Sequence, residues 1–176
     1  HWRNLDGKPV ILLAPHFIGL DMGGIRLAAE YRLNSVYSRT KDEVFDRLLI
    51  HGRTRFGQTT LFARQDGIRG MVKTLKRGEL VCIFAEGRFT RTGFLLPFHR
   101  GFEQIVKHHP APIIPVCIDQ TWGSIFSFEG GRFFWKWPKR IPYPVTVTFG
   151  APMPSTSAAH EVRQAIQELS ASAASQ

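Results

Sequence analysis

Cysteine, acidic residues and long hydrophobic runs are scarce in this chain, and each scarcity excludes a class of protein. The 176 residues include two cysteines, Cys82 and Cys117, and each lies within a short apolar run. They do not form a disulfide framework or a CxxC metal site, so we expect small buried side chains in a reduced, intracellular protein. No run of 18 or more apolar residues is present. The sequence therefore predicts no transmembrane helix, and we expect any membrane contact to be peripheral.

Acidic side chains are outnumbered by basic ones. The chain has 14 Asp and Glu against 23 Lys and Arg, a formal net charge of +9. Such a surplus favours an anionic partner, which could be nucleic acid, a phosphorylated substrate or the cytoplasmic face of a membrane. Charge alone does not choose among these three.

Apolar patterning predicts a single α/β domain. Apolar residues make up 43% of the chain, enough for a real core. Continuous apolar runs near residues 10–14, 80–85 and 113–118 are typical of strands buried on both faces, and amphipathic segments between them predict helices. We therefore expect a largely parallel sheet flanked by helices over residues 1–170, an alternating strand near the sheet edge at 145–149, and a C-terminal tail at 171–176.

His16 and Asp21 are the first candidate catalytic residues. They stand five positions apart, just after the first predicted strand. Asp21 in a first helical turn can accept a hydrogen bond from His16 on the preceding turn and fix its tautomer. The other ring nitrogen is then available to take a proton from a hydroxyl. The alternative is an ordinary helix cap with a histidine packed nearby.

Basic side chains at strand ends are candidates for binding a phosphate. Glu86, Gly87 and Arg88 follow the strand near 80–85, and Arg64 closes a short strand at 60–63. Because ligands bind beyond the carboxyl ends of parallel strands, we expect both motifs on the rim that carries His16. The arginine fork suits phosphate oxygens, and a glycine allows close approach of a ligand. Glu86 is expected to orient an arginine or to bind an acceptor hydroxyl.

Aromatic and basic residues alternate between positions 122 and 137. This segment suits a membrane interface or an acyl-chain entrance, single-stranded nucleic acid, or simply a hairpin that covers the core. His108 and His109 have no matching ligand cluster, so no metal site is predicted. No nucleophile elbow or dinucleotide fingerprint is present.

Four blocks of the chain resemble the glycerolipid acyltransferase superfamily, in the family's order. His16 and Asp21 match the HxxxxD block, and Phe84-Ala85-Glu86-Gly87-Arg88 is similar to the Phe-Pro-Glu-Gly-Thr-Arg block. Residues 57–64 and 114–116 resemble the second and fourth blocks. The N-terminal half is more similar to late acyltransferases of lipid A synthesis. The C-terminal half is more similar to the acyltransferase domain of bacterial fused lysophospholipid acyltransferase/acyl-carrier-protein synthetases.

The resemblance implies an O-acyltransferase of membrane lipid synthesis. In it, His16 and Asp21 are catalytic, and Arg64, Glu86, Gly87 and Arg88 bind the acceptor. The donor is acyl-CoA or acyl-acyl-carrier-protein, the acceptor is a lysophospholipid, and no cofactor or metal is required. A lipid A precursor is the alternative acceptor, and a basic module that binds a membrane or nucleic acid without catalysis is the alternative of another class. We expect a peripheral protein on the cytoplasmic face of the inner membrane, bound to anionic lipid and not to nucleic acid.

Overall fold

The computed structural model contains a six-stranded sheet with helices on both faces. It describes residues 8–16, 20–57, 59–87, 94–119 and 145–174, with Ser124, Gly131, Trp137 and Pro142 between the last two ranges. The strands are β1 (Val10–Ala14), β2 (Leu33–Tyr37), β3 (Thr59–Ala63), β4 (Leu80–Phe84), β5 (Ile113–Asp119) and β6 (Thr146–Phe149). The helices are α1 (Leu20–Ala28), α2 (Glu43–Thr54), α3 (Gly67–Lys76), α4 (Gly101–His108) and α5 (Ala159–Ala174).

Strand order places β1 in the middle of the sheet. The order is β3-β2-β4-β1-β5-β6, and every neighbouring pair is parallel except β5 and β6. Ala14, the last residue of β1, lies beside Phe84, the last residue of β4. The single-domain α/β prediction is confirmed, and the alternating segment at 145–149 lies at an edge as expected. The carboxyl ends of the five parallel strands meet along one edge of the sheet.

Each face of the sheet has its own hydrophobic core. Alternate side chains of a strand point to opposite faces, so Leu12 of β1 packs with α1 whereas Leu13 packs with α3, α4 and α5. Both leucines are fully buried, and burial of such a side chain is worth about 1.5–3 kcal/mol. The helix after β1 and the helix after β4 therefore lie on opposite faces.

β2 is the strand that the apolar pattern did not predict. Polar Asn34 and Ser35 interrupt its apolar residues, yet both are buried. The Asn34 side-chain amide donates to the Leu80 carbonyl oxygen at 2.9 Å and to Glu79 Oε2 at 3.3 Å. A polar side chain that is hydrogen-bonded across the sheet can occupy a buried strand position, and a pattern of apolar residues does not detect it.

Most of the apolar stripe of α2 faces solvent and not the core. The pattern Val44, Phe45, Leu48 and Leu49 predicts a core-facing surface, but the buried residue of this helix is Asp46. Its carboxylate accepts hydrogen bonds from the Tyr37 hydroxyl at 2.5 Å and the Thr40 amide at 2.8 Å. With Asp46 held inside, Val44, Phe45 and Leu48 are exposed to solvent, and Leu49 is half-buried.

The last helix continues to Ala174, so residues 171–174 of the expected tail are helical. Among the described residues, none of the helices is long and apolar enough to cross a bilayer.

Candidate active site

His16 and Glu86 meet where the sheet reverses its winding. β1 and β4 are neighbours, and the chain leaves them toward helices on opposite faces. Such a switch point opens a crevice beyond the strand ends, where α/β proteins bind ligands. The backbone N–H of His16 donates to Glu86 Oε2 at 2.7 Å. The two predicted motifs, 70 residues apart, are therefore brought together, as the sequence analysis expected.

The Glu86 carboxylate holds two chain segments at once. Its second oxygen, Oε1, accepts the Leu96 backbone N–H at 2.6 Å, and the side chain is 1% exposed. Burial raises the pKa of Glu86, while the two backbone hydrogen bonds and the charge of Arg163 oppose that rise. In the structure Glu86 thus fixes the backbone around His16; its predicted contact with substrate stays a prediction.

Arg163 of α5 anchors the segment that carries Leu96. Its guanidinium donates to the carbonyl oxygens of Leu95 and Leu96, at 3.0 and 3.2 Å. A chain of hydrogen bonds therefore runs from α5 through residues 95–96 and Glu86 to the backbone of His16. The first and last links join residues 67 to 70 positions apart, so the position of the loop after β1 depends on segments distant in the sequence.

The His16 imidazole is held in a neutral state. Its ring packs against Phe84 with the two centroids 5.1 Å apart. Burial lowers the pKa of His16 to about 4, and the positive charge of Arg53 contributes in the same direction. At neutral pH the ring therefore has a lone pair that can accept a proton, which a general base requires.

Arg53 is the site residue that sequence reasoning missed. Nothing in the sequence distinguishes it from the other basic side chains, but α2 brings its charge close enough to act on His16. Its guanidinium carbon lies 5.0 Å from the centroid of the Tyr37 ring, a cation–π contact. Tyr37, the last residue of β2, is held by Asp46. No local spacing links Arg53 to His16, so only the tertiary structure reveals this neighbour.

Of the other predicted site residues, the structure describes Arg64 fully, Asp21 in part and Arg88 not at all. Asp21 lies in the first turn of α1, but its side chain is outside the described residues, as is the whole of Arg88. Arg64 is exposed and begins a short 3-10 helix after β3. Because β3 is three strands from β1, the two strand ends are about 14 Å apart. The structure does not bring Arg64 next to His16.

Gly87 occupies a position that other residues adopt with strain. Its φ is +66°, and an added Cβ would lie 3.1 Å from the His99 ring. The turn is closed by the Gly87 N–H donating to the Phe84 carbonyl oxygen at 3.3 Å, and the His99 N–H donates to the Ala85 carbonyl oxygen at 2.8 Å. Glycine is thus the residue that forms the turn after β4 without strain.

Neither cysteine is suited to nucleophilic chemistry. Both are buried, as predicted, and burial raises the pKa of Cys82 to about 12 and that of Cys117 to about 11. Their thiols stay protonated at neutral pH, and a thiolate is the reactive form. Among the described residues, no group of three or more His, Cys, Asp or Glu side chains is placed to hold a metal ion.

Comparison with known proteins gives the family. The model of the bacterial lipid A biosynthesis acyltransferase family matches residues 2–118. The chain belongs to this family. A lipid A biosynthesis acyltransferase from Haemophilus influenzae is 33% identical over 76 residues, which is 43% of this chain and 24% of that protein. The family lies within the glycerolipid acyltransferase superfamily, so the resemblance drawn from the four sequence blocks is confirmed.

A solved structure shows that the fold is shared. The crystal structure of PlsC, the 1-acyl-sn-glycerophosphate (LPA) acyltransferase of Thermotoga maritima, matches with a TM-score of 0.59 at 20% identity. The match covers 94% of this chain and 65% of PlsC. The chain thus spans about a quarter of the length of its Haemophilus relative and about two thirds of PlsC.

Proposed function

We propose that this member of the lipid A biosynthesis acyltransferase family transfers a fatty acyl group from an acyl thioester to a hydroxyl of a phosphorylated lipid. The observation that carries the proposal is the neutral, partly buried His16, whose backbone is fixed by Glu86 at the switch point of the sheet. Such a group can remove the hydroxyl proton as the oxygen attacks the thioester carbon. The carbon–sulfur bond then breaks and the thiol of the donor leaves with a proton.

The residues around His16 have distinct proposed roles. Asp21 in the first turn of α1 holds the imidazole in the tautomer that leaves the reacting nitrogen unprotonated. Arg53 supplies positive charge beside His16. We propose that it binds the anionic groups of the acceptor together with Arg64 and Arg88, the two arginines that the sequence motifs assign to the acceptor phosphate. Direct transfer from donor to acceptor requires neither an acyl-enzyme nor a metal or cofactor.

The acceptor we favour is a lipid A precursor, because the family model and the Haemophilus relative are those of lipid A biosynthesis acyltransferases. A lysophospholipid is the second candidate. It is supported by the four sequence blocks and by the fold shared with an LPA acyltransferase. Both acceptors present a hydroxyl and a phosphate, so the chemistry proposed for His16 is the same for either. The donor is proposed to be acyl-CoA or acyl-acyl-carrier-protein.

A competition assay distinguishes the acceptors. The chain is incubated with acyl-CoA or acyl-acyl-carrier-protein and an equimolar mixture of lysophosphatidic acid, lysophosphatidylethanolamine and a lipid A precursor, and the acylated products are identified by mass spectrometry. We expect acylation of the lipid A precursor to dominate. Dominant acylation of a lysophospholipid would select the second candidate. Release of thiol without any acylated lipid would contradict the proposed transfer.

A further inference from the structure

The outer surface of α2 is apolar and exposed. Val44 is 71% exposed, Phe45 50% and Leu48 63%, and these residues form one stripe along the helix. Single exposed apolar side chains are common, but three large ones on one stripe mark an interaction surface. We define the α2 outer surface as this stripe together with the exposed basic residues Lys41, Arg47 and Arg55.

Hydrogen bonds at Asp46 and Asp42 fix the orientation of α2 and therefore of this surface. Asp46 lies two residues after Val44, about 200° around the helix, and it is buried against Tyr37 and Thr40. The Asp42 carboxylate caps the helix by accepting the Phe45 backbone N–H at 2.9 Å. With Asp46 held inside, Val44 and Leu48 have to point away from the domain.

Charge identifies the partner that fits the surface. Lys41, Arg47 and Arg55 are all exposed beside the apolar stripe, whereas the exposed acids Asp42 and Glu43 are confined to the N-terminal end of the helix. Apolar side chains bordered by cations match an anionic bilayer, where the cations meet lipid headgroups and the apolar groups enter the acyl boundary. We propose that the α2 outer surface docks on an anionic lipid bilayer.

The surface is also well placed with respect to the site. α2 packs against α1, the helix that follows His16, and Arg53 on the inner side of α2 acts on His16. Docking through α2 therefore brings the crevice at the strand ends close to the membrane. This inference deepens the proposed function, because a lipid acceptor enters such a site directly from the bilayer.

Vesicle sedimentation without substrate tests the docking surface. The probes are phosphatidylcholine vesicles with and without phosphatidylglycerol. We expect the Val44→Ser/Leu48→Ser variant to bind anionic vesicles at least ~10-fold more weakly than the parent chain. The Arg47→Glu/Arg55→Glu variant loses at least about fivefold for each arginine replaced, because each glutamate also repels anionic lipid, and this loss is smaller in high salt.

Matched controls lie on α3, which packs on the opposite face of the sheet. Ile68→Ser makes a comparable apolar-to-polar change at a side chain that is 47% exposed. Lys73→Glu/Lys76→Glu changes the net charge by the same amount as the arginine pair. We expect both controls to bind vesicles like the parent chain. Equal losses in the α2 and α3 charge variants would show attraction by overall charge alone and would overturn the proposal, as would equal losses in the two apolar variants.

Two further outcomes separate this inference from the proposed function. With a short-chain acceptor dissolved as monomers, the Val44→Ser/Leu48→Ser variant should keep the parent rate, and with the same acceptor chemistry in vesicles it should be slower. Vesicle binding by an inactive parent chain would contradict the proposed function and leave the docking surface standing. An active parent chain that ignores anionic vesicles, or forms a dimer that the α2 variant abolishes, would overturn the docking surface alone.

Discussion

At the scale of single residues, the state of His16 decides whether the site can act as a base. Burial is the larger cause of its low pKa, because removing water disfavours the charged imidazolium. Arg53 is the second cause, since its positive charge repels a protonated ring. The ring is neutral above about pH 4, so His16 does not have to lose a proton before it can accept one from a substrate.

A pH profile tests this account. We expect kcat/KM to be limited on the acid side by a group with a pKa of about 4, not 6.5. Replacing Arg53 by Gln removes a cation that disfavours the imidazolium, so the pKa of His16 rises and the acid limb moves to higher pH. Titration of the His16 ring by NMR measures the same shift without turnover.

The exposed Arg69 on α3 provides the control for that measurement. Its replacement by Gln removes the same charge away from His16 and should leave the acid limb in place. An acid limb near pH 6.5 in the parent chain, or one that moves equally in both variants, would contradict the electrostatic role of Arg53.

At the scale of elements, one buried carboxylate joins the loop after β1, the turn after β4 and the segment before α4. Glu86 accepts a backbone N–H from His16 and another from Leu96, while Arg163 of α5 secures residues 95–96 from the other side. Such an arrangement holds a histidine in place more firmly than its own loop could. It is also sensitive to small changes, because a buried donor that loses its partner is costly.

Replacing Glu86 by Gln should therefore weaken both the fold and the site. The amide has one acceptor oxygen, and its NH₂ group faces one of the two backbone N–H donors, so one hydrogen bond is lost. We expect the free energy of unfolding in urea to fall by about 1–3 kcal/mol and turnover to fall with it. Glu161→Gln is the control, since Glu161 also accepts a backbone N–H, at 2.6 Å from Ala158, but is exposed. Equal stability of the two variants would contradict the structural role proposed for the Glu86 carboxylate.

The elements also show how far the sequence could predict this structure. Continuous apolar runs located β1, β4 and β5, because a strand buried on both faces has to be apolar throughout. β2 escaped the pattern, since Asn34 is buried with its amide hydrogen-bonded to the neighbouring strand. The orientation of α2 could not be predicted from its apolar residues either. The hydrogen bonds of Asp46 hold the polar side of the helix against the domain.

The candidate site was predicted in part for a related reason. Parallel strands end at one edge of the sheet, so residues that follow two such strands can be expected to meet, and His16 and Glu86 do. The partners of the Glu86 carboxylate and the closeness of Arg53 to His16 could not be predicted. They depend on how segments distant in the sequence pack, which no local spacing records.

At the scale of the whole molecule, the strand order brings the His16 and Glu86 motifs, which are 70 residues apart in the sequence, to one site. With β1 between β4 and β5, and helices leaving β1 and β4 on opposite faces, His16 lies at the switch point, where α/β sheets bind ligands. Family membership supports the proposal that acyl transfer takes place here, and the fold is shared with PlsC. The docking proposed for the α2 outer surface would place this end of the sheet near the membrane.

The most direct test of the central claim is the rate of acceptor acylation by the His16→Ala variant, measured by mass spectrometry beside the parent chain. Loss of a general base lowers turnover at least ~100-fold, and that is the result expected of a variant whose circular dichroism and thermal unfolding match the parent. A folded His16→Ala protein that acylates its acceptor at close to the parent rate would contradict the account.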